Sequence, residues 1–147
     1  LNLAGGEASF PGVLGTAIFK VFDLAVARTG LTLEQARRSG FDPVIARAKW
    51  PSRARYMPNS RGLDIALVAD RGSGRLLGAE AIGPDAVDKY IEVMATAIWA
   101  RLGVDDIAEL DLAYAPPYSP VFAAAQLIGE LARKECGPPL ASGAAAE

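Results

Sequence analysis

The 147-residue sequence holds no histidine, one cysteine and four tyrosines. Proton transfer near neutral pH therefore falls to carboxylates, a thiol or phenols. Tyr114 and Tyr118 lie in "AYAPPYSP", residues 113 to 120, on either side of Ala115-Pro116-Pro117. Tyr56 lies in a second proline-bracketed stretch, "PSRARYMP", among Arg53, Arg55 and Arg61. A phenol is a poor base at neutral pH but a good hydrogen-bond donor, able to hold or protonate a developing thiolate, alkoxide or oxyanion. Proline fixes φ and biases the residue before it to extended backbone, so both stretches read as stiff loops that hold their rings in place. Composition alone also admits a plainer reading, in which each tyrosine is an aromatic packed at a loop corner.

Other chemistry-bearing groups are weaker. "GSGRLLG", residues 72 to 78, imitates a dinucleotide fingerprint with the wrong final spacing, and its setting predicts a hairpin turn rather than a strand-to-helix phosphate cradle. Asp105, Asp106, Glu109 and Asp111 fit the solvated first turns of a helix, where carboxylates complement the dipole. Cys136 sits near Lys134, which would lower the thiol pKa slightly, and reads as an incidental thiol. With one cysteine and no histidine, no metal site is expected.

These loops need a scaffold. A chain of this length with 51% hydrophobic residues supports one domain with a core. A net charge of −2 without a basic stripe argues against nucleic acid. No apolar run approaches the roughly 20 residues of a membrane span, and low cysteine usage suits a soluble, cytoplasmic protein. The chain begins at Leu1 without a signal segment, which reads as a piece of something longer.

Residues 1–12 predict a linker; 13–27 are mostly apolar and predict a strand through about Phe22. Thr32 with Gln35 has the spacing of a capping box and Gly40 that of a stop, which predicts a short helix. Phe41–Trp50, Leu63–Ala69 and Arg75–Ile82 read as strands, the last two joined through Arg71-Gly72-Ser73-Gly74. Val87, Ile91, Met94 and Ile98 recur at helical spacing through 85–101, widened by Tyr90 and Trp99 and ended by Gly103. A short acidic helix follows, and Ser119 as N-cap with Pro120 at the first position predicts a last helix with Phe122, Leu127, Ile128 and Leu131 on its apolar side. The sum is an α+β fold with a mainly antiparallel sheet of about five strands packed with helices.

Three stretches in order, "FPGVLGTAIFKVFDLAVARTGLT", "GRLLGAEAIGPDAVDKYIEVMATAI" and "DDIAELDLAYAPPYSPV", resemble the C-terminal dimerisation domain of the pyridine nucleotide-disulfide oxidoreductases. The resemblance is to the branch with coenzyme A disulfide reductases and NADH oxidases, and spans roughly residues 8 to 132. It implies a homodimeric enzyme using FAD and NAD(P)H, whose two nucleotide-binding domains precede this one. Glutathione-reductase-like relatives use a histidine of this domain as acid/base; the coenzyme A branch looks instead to two tyrosines, which by motif match are Tyr114 and Tyr56. They would reach the partner subunit's flavin/thiolate site, with the backbone of Ala115, Pro116, Pro117, Tyr118 and Ser119 beside the cofactor. The sequence has "DKYIE" where the family often has "DKRID", and "YMP" where a double tyrosine is common.

The expected organisation is a linker from absent FAD and NAD domains over 1–12, the dimerisation domain over 13–134 and a disordered tail over 135–147. Such a fragment would not be catalytic and would bind neither cofactor alone. The competing expectation is a free-standing interaction module that uses the aromatic proline loop.

Overall fold

The computed structural model describes residues 9–137. The first eight residues of the expected linker and residues 138–147 of the expected tail lie outside that range. Five strands, β1 (Ala17–Val21), β2 (Leu24–Gly30), β3 (Pro43–Pro51), β4 (Gly62–Asp70) and β5 (Leu76–Gly83), form one antiparallel sheet in the order β1-β2-β5-β4-β3. Four helices, α1 (Leu33–Arg38), α2 (Val87–Trp99), α3 (Val104–Ala108) and α4 (Ala124–Cys136), complete the α+β fold.

The alternation expected of the fourth strand is present. Leu63, Ile65, Leu67 and Ala69 point to the face on which α2 and α4 lie, and join Val87, Ile91, Met94 and Ile128 in the main core. Val68 points the other way, into a smaller cluster with Leu77 and Ala36 of α1. A register shift between Val68 and Ala69 leaves Leu77 as an extra residue in β5, so Leu76 and Ala79 share the main core while Leu77 faces α1. One bulge thereby feeds both layers. Tyr90 is buried in α2 and donates its hydroxyl to the Ala66 carbonyl at 3.0 Å; burial and the neighbouring Glu80 charge push the phenol pKa well up. It is a core tyrosine, not a titrating one.

Where the structure departs from expectation, local physics explains it. The apolar stretch 13–27 is two strands, because Phe22 adopts φ 54° and turns the chain through Phe22-Asp23, with Val21 facing Leu24. Phe22 carries no turn signature, so the corner is hidden in the sequence. Helix α2 is ended by Arg101 rather than Gly103: Arg101 takes φ 59°, with Leu102 N bonded to Ala97 O and Arg101 N to Ile98 O, both at 3.0 Å. This is a Schellman motif with arginine where glycine is usual. Gly103 instead opens α3, its amide donating to Asp106 Oδ2 at 2.8 Å. The expected Thr32 capping box is present, with Gln35 N donating to Thr32 Oγ1 at 3.2 Å and Thr32 N to Gln35 Oε1 at 2.9 Å.

The last helix begins at Ala124, not at Ser119-Pro120. Ser119 is buried, its amide donates to Ala115 O and its hydroxyl to Pro120 O, which leaves it in a turn; Gln126 caps the helix by accepting from Ala123 N at 2.9 Å. Ala125, Ile128 and Ala132 face the core, whereas Phe122 precedes the helix and is exposed. The apolar stripe of α2 is likewise spent on its own sheet, leaving only Trp99 largely exposed. Leftover apolar surface lies on the β1–β2 hairpin, at Ile18, Phe19, Val21, Phe22 and Leu24, on Ile82 of β5, and at Phe10, Val13 and Val121 outside the strands and helices. Among the described residues, no helix is long and apolar enough to cross a membrane.

Two stability changes follow. Gly78 pairs with Gly30, and a Cβ there would sit inside the Leu31 carbonyl. Gly78→Ala should lower unfolding free energy by about 2 kcal/mol or more, read by denaturant titration. Arg101→Gly should raise it by about 1 kcal/mol, because the left-handed C′ position no longer carries a Cβ.

Candidate functional site

The two tyrosine loops leave the fold at neighbouring points. The β3–β4 connection, residues 52–61, springs from the Pro51–Gly62 end of that strand pair and carries Tyr56; the stretch between α3 and α4 carries Tyr114 and Tyr118. They are tied together by a backbone hydrogen bond from Ala54 N to Pro116 O at 3.2 Å. Trp50 Nε1 donates to Phe122 O at 2.7 Å just below. Each loop also closes on itself. In the first, Met57 N donates to Ala54 O and Ser60 N to Met57 O, while Ser60 Oγ donates to Arg53 O at 3.2 Å. In the second, Tyr118 N and Ser119 N both donate to Ala115 O, and Lys89 Nζ reaches Tyr118 O at 3.2 Å.

Beneath the junction lies an ion pair between Arg53 and Asp85, each side chain about three-quarters buried or a little less. Burial works against the Asp85 charge, but hydrogen bonds from the Ser52 and Arg53 side chains, with the charge of Arg53, outweigh it and hold the carboxyl below the ordinary range. Ser52 is itself buried and accepts from Arg61 N, closing the base of the loop. A pocket bounded by Pro51, Ser52, Tyr90, Ser119 and Pro120 separates the loops from the core; its volume of about 30 Å³ has room for little more than a water.

On this platform Tyr56 is 75% exposed, Tyr118 74% and Tyr114 51%. The structure thus brings the two predicted tyrosine loops side by side and presents their rings outward. Ala115 to Ser119 are placed differently from one another. The carbonyls of Ala115, Pro116 and Tyr118, and the amides of Tyr118 and Ser119, are engaged within the chain, and Ser119 is buried. Only Pro117 and the Tyr118 ring offer an open surface. Sequence reasoning missed Arg53 and Asp85 as the clamp, because the two residues are 32 positions apart.

The remaining candidates resolve into structure. The glycine turn at 72–74 closes the β4–β5 hairpin, where Asp70 Oδ2 accepts from Ser73 N at 3.1 Å and Ser73 Oγ at 2.6 Å. Those bonds, the Ser73 hydroxyl first, hold the Asp70 carboxyl below its usual value. The turn is already filled by its own carboxylate and forms no phosphate cradle. Asp105, Glu109 and Glu130 surround Arg133, at 2.5, 3.1 and 3.2 Å, and Asp106 caps α3. Contrary to the expected effect of Lys134, burial pushes the Cys136 thiol up, with Arg71 the one charge pulling it down.

Similarity to known proteins places the fold in a family. The family model of the pyridine nucleotide-disulphide oxidoreductase dimerisation domain matches residues 16–126. The chain belongs to that family. It is similar to the NAD(P)H sulfur oxidoreductase (CoA-dependent) of Pyrococcus furiosus, with 40% identity over 121 residues, covering 82% of this chain and 27% of the relative. It is similar to the coenzyme A disulfide reductase of Staphylococcus haemolyticus, with 35% identity over 133 residues, covering 90% of this chain and 30% of the relative. In three dimensions it matches a NAD-dependent persulfide reductase from A. fulgidus with a TM-score of 0.86 and 44% identity, covering 89% of this chain and 24% of that one. The dimerisation-domain chain therefore spans under a third of the length of these relatives.

The clamp gives a pH-dependent expectation. Asp85 has a depressed folded-state pKa, so its contribution is fully present above the ordinary carboxylate value of about 3.9 and is lost as pH falls through its lower folded value. Asp85→Asn should cost about 1–2 kcal/mol. It should also speed hydrogen exchange at the Ala54 amide at neutral pH, where the parent protein keeps its protection.

Proposed function

We propose that this dimerisation domain forms the homodimer interface of an FAD- and NAD(P)H-dependent disulfide or NADH oxidoreductase. In it, Tyr114 and Tyr56 serve the thiolate active site of the partner subunit. The observation that carries this reading is the Ala54–Pro116 bond, which fixes two exposed tyrosines from distant parts of the sequence on one platform. Family membership and relatives named as coenzyme A disulfide reductase and CoA-dependent sulfur oxidoreductase support the reaction class.

The chemistry asked of the tyrosines suits phenols in this setting. Exposed on one protomer, each ring meets a thiolate only when a second protomer covers it, and the hydroxyl then donates a hydrogen bond, or its proton, to the sulfur released by disulfide reduction. A histidine would supply a proton more readily near neutral pH; its absence leaves the phenol as donor. Pro117 and the Tyr118 ring are the parts of the "APPYS" segment open to a flavin-bearing neighbour. FAD and NAD(P)H bind, in this reading, to domains outside this chain, and the chain alone is inactive. The apolar β1–β2 hairpin supplies surface for those domains or for the second protomer.

Tyr114→Phe in the intact flavoprotein should lower turnover on a disulfide substrate by about 100-fold, with flavin content and dimer mass unchanged. Steady-state kinetics beside light scattering checks this; unaltered turnover would remove the proton-donor role.

A further inference from the structure

The segment that opens α2 reaches both tyrosine loops. Asp85 takes Arg53 of the β3–β4 connection, and Lys89, four residues on, donates from Nζ to Tyr118 O at 3.2 Å. Between these two contacts Ala86 holds left-handed backbone, φ 60° and ψ 14°, and starts α2 without a side-chain capping bond. A residue with a Cβ is disfavoured in that conformation and stays there only where the contacts around it over-determine it.

Lys89 also stands where helix physics does not favour it. It is the only cation of α2 and lies in the first turn, at the positive end of the helix dipole. Glu92 follows three residues later, at ion-pair spacing. Yet among the described residues Lys89 forms no ion pair with any carboxylate. Its ammonium goes to a backbone carbonyl of the tyrosine loop instead. Local preference gives way in this manner at functional positions.

The bond has a mechanical effect. Residues 115–119 form a closed unit, since Tyr118 N and Ser119 N both donate to Ala115 O. The other loop holds this unit at one point, through Ala54 N on Pro116 O. Held at one point, the unit can swing about that bond; the second attachment, at Tyr118 O, fixes its direction. Tyr114 is joined directly to Ala115, so the direction of the unit sets where its phenol stands relative to Tyr56. We propose that Lys89 is a positioning residue for Tyr114, acting through the Tyr118 carbonyl. The proposal rests on the reading that Tyr114 serves a thiolate, and it asks of Lys89 no contact with substrate or cofactor.

The test compares Lys89→Met, which keeps the length of the stem and removes the donor, with Lys89→Arg, which supplies a donor again. In the intact flavoprotein, Lys89→Met should lower kcat on coenzyme A disulfide by about tenfold or more, as expected for a displaced proton donor, with KM unchanged. Flavin reduction by NAD(P)H, which the phenols do not serve, should keep its rate in stopped flow, and Lys89→Arg should recover most of the lost kcat. Added to Tyr114→Phe, Lys89→Met should cost nothing further, because a residue that acts through the phenol has no effect once the hydroxyl is gone. In the 147-residue chain the amide shifts of Ala115 and Tyr118 should move in Lys89→Met and return in Lys89→Arg. Unchanged kcat in Lys89→Met, a loss that multiplies with that of Tyr114→Phe, or an equal loss in flavin reduction overturns the proposal and leaves the tyrosine role standing. If Tyr114→Phe itself turns over normally, the tyrosine reading falls and the amide shifts decide alone: moved shifts support Lys89 as the residue that sets the turn, and unmoved shifts overturn it.

Discussion

Burial of one face of the sheet under α2 and α4 is the constraint on which the molecule is built. Leu63, Ile65 and Leu67 of the inner strand β4, with Val87, Ile91 and Met94 of α2 and Ile128 of α4, account for most of the large side chains fully withdrawn from water. At roughly 1.5–3 kcal/mol for each such side chain, this layer exceeds any single polar contact in the structure. It fixes the direction in which every strand presents its residues and brings β3, α2 and α4 together at one end. The polar clamps act only after that packing has set the distances.

At that end two stretches of low regular structure become a firm surface. The loops are short of secondary structure but not of bonds: turns within each, the Ala54–Pro116 link between them, Trp50 on Phe122 and Arg53 on Asp85 beneath. Prolines reduce the freedom that must be lost on folding. The tyrosine and arginine side chains outside are thus carried by a backbone that has little left to reorganise when a ligand or a second subunit arrives, as a preorganised site requires.

Much of this was legible in the sequence. The apolar alternation of β4, the helical period of α2 and the Thr32–Gln35 box each announced its element, because in each the local preference and the global packing agree. What was hidden depends on conformations the residue types disfavour or on partners far along the chain. Phe22 and Arg101 occupy left-handed backbone without being glycine or asparagine, so the β1–β2 corner and the end of α2 carried no signal. Ser119-Pro120 carries a helix-start signature, but local bonds of Ser119 to Ala115 O and Pro120 O hold it in a turn, and the helix starts four residues later under Gln126. For the site, motif and composition placed the tyrosines on stiff loops. The contact between the loops and the Arg53–Asp85 clamp could not be read from spacing.

The outermost strand has a consequence of its own. All five residues of β1, "AIFKV", are exposed, and one side of its backbone ladder faces no other strand of the sheet. An apolar strand with an open edge is a template on which another extended segment can crystallise a growing stack, and natural edges commonly carry a lysine to discourage this. Lys20 is the only charge in that strand. It stands as the gatekeeper of that edge, the one strongly hydrated group an incoming strand would have to desolvate there.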